Sequence, residues 1–495
     1  MMKSEATLVL LHTNDIHSRL ENAARIASII EEERQRLGDA AVLVVDCGDH
    51  MDRARLETEG SDGLVNLKLL QASRYDLITL GNNEGLTYRM DILKELYGRN
   101  PGFRVICANM LKTRDGQRPD WLLPRTVIVK QGKRIGIVGA TADFSAFYEL
   151  LGWDVTDPMA AIQEQVAILR EEADLVIVLS HLGLPRDKEM ATTIDGIDLI
   201  VGAHTHHLLH EALYIGNTAL CAAGKFGEYA GRVEFVWGYG EERPKINASV
   251  IPTAAYMEQH EAASIISQYK AVAERRMSRV ITSLSHPLPL SVNVESPLVN
   301  LLAAGLRKWT NSEIGLVNAG QLLGGLALGD VTASELHALC PSPINPCRMI
   351  IKGKHLRTAL EQSVLPEYVD KRIKGFGFRG EVLGALAVDG IAVTLDSSKP
   401  NMQKLIRIEV NGEQLADERV YTVGTIDMFS FRIGYETLAE AESFRFYLPE
   451  FLRDVLEHEL LREEAIADCH AVRWKPVSND NDGENEENDG LCRIE

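Results

Sequence analysis

The sequence predicts an α/β protein, and three observations lead to that class. Five apolar runs of five or six residues, rich in Val, Ile and Leu, are typical of strands buried on both faces of a parallel or mixed sheet. Each run leads into a residue that can bind a metal ion. The chain has 495 residues, more than one hydrophobic core usually holds, which predicts two domains or slightly more. The five runs are Ala6–Leu11, Ala41–Val45, Asp76–Leu80, Leu175–Leu179 and Ile197–Val201.

The first three runs lead into carboxylate, imidazole and amide side chains. The first continues into Asp15 and His17, which are two positions apart. The second continues into Asp49 and the third into Asn82, each directly after a glycine in a tight turn. Because ligands collect beyond the carboxyl ends of strands in open α/β sheets, we expect these four side chains to meet at one rim.

The last two runs lead into histidines. The fourth continues into His181, and the fifth continues into His204 and His206. Imidazoles at positions i and i+2 converge on one ion only in a loop or on one face of a strand. With the carboxylates and the amide, the five strand ends supply seven ligands.

Seven ligand residues suffice for two divalent cations if one carboxylate bridges them, and Asp49 is the predicted bridge. Two such cations, about 3.5–4 Å apart, activate one water and bind a phosphoryl group in line with it. A mixture of imidazole, carboxylate and amide ligands favours Mn, Zn, Fe or Co over Mg or Ca, which prefer oxygen ligands. We assign Asp15, His17, Asp49 and His206 to one metal, and Asp49, Asn82, His181 and His204 to the other.

Each motif taken alone has a simpler interpretation. An Asp-x-His at the end of a strand is more often a turn or a helix cap, and a Gly-Asp or Gly-Asn pair is usually just a turn. His181 alone would be a hydrogen-bonded histidine at a strand end. The metal site is predicted because all five signals occur together, each at the same end of a strand-like run.

The order of these motifs resembles the calcineurin-like binuclear metallophosphoesterases. The opening stretch, which includes Asp15 and His17, is similar to the first motif of the 5′-nucleotidase family within that group. Looser matches to the second domain of that family occur at 318–322, 329–332 and 353–361. The resemblance covers roughly residues 6–450.

The resemblance implies a fold and an activity. The expected fold is a four-layer αββα metallophosphoesterase domain (1–257), joined by a long helix (258–282) to an α+β substrate domain (283–470), with an acidic disordered tail (471–495). The expected activity is removal of phosphate from nucleotides or related small phosphoesters by a metal-bridging hydroxide. The partner is then a small molecule.

The chain departs from the family where a catalytic His is expected. That family has Gly-Asn-His-Glu/Asp after the third strand, with an Asp two residues further on that orients the His. Here Asn83 replaces the His and Leu86 replaces the Asp. An amide can donate a hydrogen bond to phosphoryl oxygens, but it cannot deliver a proton to a leaving group.

Three interpretations of this departure stay open. The enzyme acts on good leaving groups, as a phosphodiesterase or pyrophosphohydrolase; another residue replaces the His; or the site binds metal and nucleotide with weakened or no turnover. His50, directly after Asp49, is the preferred substitute. Its alternative role is to hydrogen-bond a ligand carboxylate. His12 and His207 are weaker candidates.

The substrate residues of the second domain also differ. Relatives place an Arg in a segment that here ends in Leu322 and Leu323. Arg379 could supply the missing guanidinium, as could Arg372, although both also fit a solvated loop. Relatives hold the base between two aromatic rings, whose counterparts here would be Phe376 or Phe378 for the first and Phe429 for the second. Core packing is the alternative for these rings.

Composition narrows the classes of function. A formal net charge of −19 argues against a nucleic-acid polymer as partner, because such binders carry a basic face. No stretch approaches the 18 apolar residues of a membrane span, and no export signal is recognised. Seven cysteines without paired spacing suit a reducing compartment, with a disulfide between Cys340 and Cys347 as the alternative to free thiols. We therefore expect a cytoplasmic protein.

A helix is predicted between the two domains, over Glu258–Ile281. Apolar residues recur in it at helical spacing, and it contains no Gly or Pro. It either acts as a stiff connector about which the second domain rotates, or packs against the first domain.

Overall fold

The computed structural model describes residues 6–239, 243–375 and 377–477. The chain divides into two units. The first comprises Met1–Ile281, Thr332–Pro343 and Tyr447–Glu450, and the second comprises Thr282–Val331, Ile344–Phe446 and Phe451–Glu495.

Two sheets form the centre of the first unit. Its strands are β1 (Ala6–Thr13), β2 (Val42–Asp46), β3 (Leu77–Thr79), β4 (Arg104–Ile106), β5 (Met110–Lys112), β6 (Leu122–Leu123), β7 (Arg125–Lys130), β8 (Lys133–Thr141), β9 (Trp153–Val155), β10 (Leu175–His181), β11 (Leu199–Gly202), β12 (Leu213–Ile215), β13 (Thr218–Cys221), β14 (Tyr229–Trp237) and β15 (Lys245–Pro252). The first sheet has the order β15-β14-β1-β2-β3-β4-β6, and the second has the order β12-β13-β11-β10-β8-β7.

The five predicted strands are β1, β2, β3, β10 and β11, and they run parallel to their neighbours among this set. We expected a single rim, but the first three lie in one sheet and the last two in the other. A cluster of apolar side chains from both sheets, including Leu10, Val45 and Ile177, shows that the sheets face each other. The carboxyl ends of both sets therefore contribute to one site.

Helices cover the outer face of each sheet. The helices up to the domain junction are α1 (Leu20–Leu37), α2 (Leu56–Gly60), α3 (Leu64–Ala72), α4 (Asn82–Thr87), α5 (Met90–Tyr97), α6 (Ser145–Tyr148), α7 (Pro158–Glu172), α8 (Leu184–Thr193) and α9 (His260–Met277). Residues of α1, α3 and α5 pack on the first sheet, and residues of α7 and α8 pack on the second. These layers are the expected αββα arrangement, which confirms the fold class of this half.

The predicted connecting helix is α9, and it packs on the first unit. Ala262 and Ile266 are buried in the same cluster as residues of α1 and α3. Near its other end, Ala273 is fully buried and lies against Gly60 of α2. A Cβ atom on Gly60 would lie 2.5 Å from the Cβ of Ala273. These contacts support the interpretation in which the helix packs against the first domain.

The second unit is built on a mixed sheet. The remaining strands are β16 (Val280–Leu284), β17 (Ile314–Asn318), β18 (Gly329–Thr332), β19 (Pro346–Lys352), β20 (Leu386–Asp389), β21 (Ile391–Leu395), β22 (Leu405–Val410), β23 (Glu413–Gln414), β24 (Val420–Ile426), β25 (Ser443–Phe446) and β26 (Trp474–Pro476). The remaining helices are α10 (Pro297–Trp309), α11 (Ala333–Leu339), α12 (Gly353–Ser363), α13 (Pro366–Val369), α14 (Leu452–Leu460) and α15 (Glu463–Asp468). A five-stranded sheet has the order β20-β17-β24-β19-β25, and a four-stranded sheet has the order β23-β22-β21-β26.

The ordered part of the chain extends past the predicted boundary at residue 470. Trp474–Pro476 is a strand that pairs in parallel with β21, and Val477 N–H donates to the carbonyl of Leu395. The predicted tail therefore begins too early at 471, and its part from residue 478 lies outside the described residues. Within the described ranges, no helix combines the length and the apolar character that crossing a bilayer requires.

We predict that Gly60→Val destabilises the protein by about 1–3 kcal/mol, because the new side chain forces α2 and α9 apart. Denaturant unfolding should show the loss. Gly324→Val is the matched control, since a Cβ at Gly324 has no neighbour within 4 Å. Equal stability of the two variants would contradict the close packing of α2 on α9.

Candidate metal centre

The loops that carry the predicted ligands adopt a backbone conformation that side chains usually avoid. Five of the seven have positive φ angles, which non-glycine residues rarely adopt and which cost of order 1–3 kcal/mol each. Such strain persists only where surrounding contacts enforce it, and it is concentrated at functional sites. The five residues are Asp15 (φ 50°), His17 (47°), Asp49 (53°), His204 (69°) and His206 (59°).

Hydrogen bonds between the first two loops enforce this conformation. The N–H of Asp15 donates to the carbonyl of Gly48 at 3.0 Å, and the N–H of His17 donates to the carbonyl of Asp49 at 2.9 Å. The N–H of His204 donates to both carboxylate oxygens of Asp15, at 3.1 and 3.0 Å. The ligand loops of both sheets are thus joined directly.

Glu84 holds the loop after β2 against the start of α4. Its buried carboxylate accepts the N–H groups of Asp49, Met51 and Gly81 at 2.9–3.0 Å. Burial and the neighbouring charge of Asp49 raise the pKa of Glu84 to about 7, against those hydrogen bonds. Glu84 was not among the predicted site residues. Its position three residues after Gly81, in the first turn of a helix, is the sequence feature that could have identified it.

The first group of converging donors contains Asp15, His17 and His206, whose ligand atoms lie within 4.8 Å of one another. The Nε2 atoms of His17 and His206 are 3.2 Å apart. Oδ1 of Asp15 lies 3.5 Å from Nε2 of His206 and 3.9 Å from Nε2 of His17. These are three of the four ligands predicted for the first metal.

The second group contains Asp15, Asp49 and His181. Nε2 of His181 lies 3.4 Å from Oδ1 of Asp49 and 3.2 Å from Oδ1 of Asn82. Asp49 is also close to the first group, because its Oδ2 lies 3.9 Å from Nε2 of His17. Asp49 thus lies between His17 and His181, and Asp15 belongs to both groups.

A hydrogen bond outside the donor group sets the tautomer of His181. Its Nδ1 lies 2.8 Å from the carbonyl oxygen of Cys47, which can only accept. The proton is therefore on Nδ1, and in neutral imidazole the Nε2 lone pair faces the amide oxygen of Asn82. Two acceptors at 3.2 Å repel each other unless a proton or a cation lies between them.

The distances between these donors fit a small dication. Ligand atoms about 2.1 Å from one ion stand about 3.0 Å apart at octahedral angles and about 3.4 Å apart at tetrahedral angles. The closest observed separations are 3.2–3.5 Å. The donor set of this chain therefore fits divalent cations such as Mn, Zn, Fe or Co.

The protonation of the histidines is consistent with metal binding. Burial lowers the pKa of His17, and lowers that of His204 to about 4, so both rings are neutral at pH 7. Burial opposes charge on His181 as well, but the carboxylate of Asp49 raises its pKa to about 10. A dication bound here would take the place of that proton, since metal ligands must be deprotonated.

His204 is placed differently from the other six predicted ligands. Its ring centroid is 5.2 Å from that of His181 and 5.9 Å from that of Phe144. Its ring nitrogens are not part of either donor group. The backbone of His204 contacts Asp15, and its ring lies beside the second group.

The two predicted catalytic residues make structural contacts. The amide nitrogen of Asn83 lies 3.0 Å from the carbonyl of Met51 and 2.9 Å from Nδ1 of His17, so Asn83 orients the ring of His17. His50 is 3% exposed, its Nδ1 contacts the amide of Asn66 at 3.2 Å, and burial lowers its pKa to about 4. His50 is therefore neutral at pH 7, and the described contact of its ring is with Asn66 rather than with a ligand carboxylate.

The predicted base-binding rings of the second unit lie in its interior or outside the described residues. Phe429 is fully buried and packs edge-on against Tyr435, with 5.6 Å between ring centroids. Phe378 is also buried. Both are therefore core residues in this structure, which corrects their assignment as open faces for a base. Arg379 is half-buried, and Phe376 lies outside the described residues.

Comparison with protein families gives two matches. The model of calcineurin-like phosphoesterases matches residues 8–208. The model of the 5′-nucleotidase C-terminal domain matches residues 280–440.

Individual proteins are similar over most of the chain. The uncharacterized metallophosphoesterase YunD of Bacillus subtilis is 35% identical over 92% of this chain and 99% of its own length. A 5′-nucleotidase of Diplobatis ommata is 23% identical over 84% of this chain and 81% of its own. Among solved structures, the NAD nucleotidase of Haemophilus influenzae has a TM-score of 0.67 at 16% identity, over 96% of this chain and 98% of its own. That structural likeness shows the shared two-domain fold.

We predict that Glu84→Gln lowers metal affinity by about 10–100-fold and stability by about 1–3 kcal/mol. A glutamine offers one acceptor oxygen, and its NH₂ group faces a backbone donor. Competition with a chelator and denaturant unfolding measure the two effects. Glu164→Gln, at an exposed position of α7, is the control. Unchanged metal affinity in the Glu84 variant would show that this carboxylate does not position the ligand loops.

Proposed function

Because this chain belongs to the calcineurin-like phosphoesterases that carry a 5′-nucleotidase C-terminal domain, and is therefore a metal-dependent hydrolase, we propose that it cleaves small nucleotide-type phosphoesters with good leaving groups. The observation that carries this proposal is the convergence of acceptor atoms from both sheets at separations of 3.2–3.5 Å. The leaving-group restriction comes from the placement of Asn83 and His50.

The metal ligands are proposed from the donor geometry. Asp15, His17 and His206 hold one cation, Asn82 and His181 hold the other, Asp49 is shared, and His204 completes the second set through its ring. When bound, such a pair of cations activates water and neutralises charge on phosphoryl oxygens. Glu84 and Cys47 act through the ligands: the carboxylate holds the Asp49 loop, and the carbonyl fixes the tautomer of His181.

The proposed preference for good leaving groups follows from the contacts of Asn83 and His50. Asn83 donates to Met51 and contacts His17, so its amide is engaged with the protein. His50 is enclosed beside Asn66. General acid assistance is worth about 10²–10⁴-fold for a basic leaving group. Substrates whose leaving group departs without a proton are therefore favoured over alkyl phosphates.

Nucleotides are the proposed substrate class because of the relatives. Their names include 5′-nucleotidase and NAD nucleotidase, and the chain shares both domains with them. Six described cysteines are buried free thiols, Cys340 and Cys347 among them. Free thiols support the proposal that the reaction takes place in the reducing cytoplasm.

Removing the metals tests the proposed centre. Dialysis against a chelator should abolish hydrolysis of an aryl phosphate, and Mn²⁺, Zn²⁺, Fe²⁺ or Co²⁺ should restore it better than Mg²⁺ or Ca²⁺. Because the metal binds the folded protein and not the unfolded chain, metal at 100 times its Kd should add about 2.7 kcal/mol of stability. Metal-independent turnover would contradict the proposal; two bound metals without turnover on any substrate would instead favour a binding protein.

The leaving-group restriction has its own test. We predict that Asn83→His combined with Leu86→Asp raises kcat/KM for a nucleoside monophosphate by 10²-fold or more, since the pair restores an oriented proton donor. The rate on an aryl phosphate should change little, because that leaving group needs no proton. Asn83→His alone is the matched comparison, and metal content is measured in both variants. No gain despite full metal occupancy would mean that proton delivery is not limiting.

A further inference from the structure

A strained aromatic residue lies beside the candidate metal centre. Phe226 has φ 61°, which is an outlier for a bulky side chain. Its ring packs edge-on against the ligand His17, with 5.8 Å between centroids. Strain of this kind points to a function when the surroundings enforce it.

The surroundings of Phe226 tie it to the first ligand loop. Its N–H donates to the carbonyl of Asp15 at 2.7 Å. The side chain of Asn14, the residue before Asp15, donates to the carbonyl of Gly224 and accepts the N–H of Ala223. The ring is therefore held in a defined position relative to the metal ligands, on a segment that sequence analysis did not single out.

Two cations lie on this ring. The guanidinium carbon of Arg19 is 4.7 Å from the ring centroid, and Nζ of Lys225 is 4.5 Å from it. Arg19 is exposed and Lys225 is half-buried. Within the described residues, neither cation forms an ion pair with a carboxylate. The protein nevertheless has a net charge of −19, and both Arg25 and Arg55 pair with acidic residues.

We propose that Arg19 and Lys225 bind a phosphate group that is attached to the phosphorus under attack, and that the substrates are therefore phosphoanhydrides such as nucleoside diphosphates or dinucleotides. This inference rests on the proposed hydrolase function. Phe226 acts as the platform that holds both cations beside His17. An anion fits this site better than a nucleobase, because both cations already lie against the ring on which a base would stack.

The chemistry of such a substrate matches the missing proton donor. Water adds its oxygen to the phosphorus, the bond to the bridging oxygen breaks, and the electron pair of that bond stays on the departing phosphate. The water proton passes to solvent. A terminal phosphate has a second pKa of about 6 and leaves as an anion at pH 7. An alkoxide resembles hydroxide: the pKa of its conjugate acid lies far above neutral pH, so it requires a proton. Arg19 and Lys225 would stabilise the negative charge that the bond breaking places on the leaving phosphate.

The first measurement compares two substrates. With Mn²⁺ present, Arg19→Gln combined with Lys225→Gln should lower kcat/KM for a nucleoside diphosphate by on the order of tenfold for each cation removed. Hydrolysis of an aryl phosphate, which has no second phosphate, should change less than about threefold. Arg25→Gln combined with Lys245→Gln is the control: it removes the same two charges, and Lys245 lies at the far end of the β14–β15 ladder from Phe226.

The second measurement uses binding rather than turnover. In calorimetric titrations of the Mn²⁺-loaded protein, imidodiphosphate should bind more tightly than orthophosphate, and the Arg19/Lys225 double variant should lose this preference. The same preference in the variant and the wild type would overturn the assignment of the two cations. If the wild type hydrolyses neither substrate but keeps the preference, the hydrolase proposal fails and the anion site stands. If the aryl phosphate is turned over and the preference is absent, the reverse holds.

Discussion

The candidate site depends on one constraint: acceptor atoms from two sheets are held so close together that a proton or a cation must lie between them. The bond from His181 to the Cys47 carbonyl directs the Nε2 lone pair at the oxygen of Asn82, 3.2 Å away. Neither atom has a proton to share in the neutral state, so the arrangement is favourable only when a positive charge lies between them. The strained loops, the buried carboxylates and the neutral imidazoles are all arranged around that requirement.

The energy that holds these acceptors together comes from the rest of the first unit. Two sheets bury a common apolar core, which fixes the ends of β1–β3 relative to β10 and β11. The loops between them are then joined by Glu84, by the Asp15 to Gly48 backbone bond, and by His204 N–H. Backbone hydrogen bonds that join loops in this way can sustain five residues in the left-handed region, because each loop is bonded to another loop rather than to solvent.

A site residue can be predicted from the sequence when its signal lies in its own short segment of the chain. The predicted ligands could be singled out because each lies within six residues of the end of a strand-like run. The structure brings six of them close together: Asp15, His17, Asp49, Asn82, His181 and His206. Which strands lie in which of the two sheets was not predicted, because strand order is set by long-range packing. Glu84 and Phe226 were missed for the same reason: their partners lie in segments that are distant in the chain. Phe429 was misassigned because an aromatic residue in a family motif looks the same whether it faces a ligand or the core.

The departures from the family pattern have one common explanation. They change which groups supply positive charge and protons to the leaving group. A proton donor assists a basic leaving group, whereas fixed cations assist one that leaves as an anion. This chain has an amide where relatives have an imidazole, lacks the Arg of the second domain, and places Arg19 and Lys225 on Phe226 instead. In a protein of net charge −19, an anionic substrate is repelled at long range, so these local cations and the bound dications must outweigh that repulsion within the pocket.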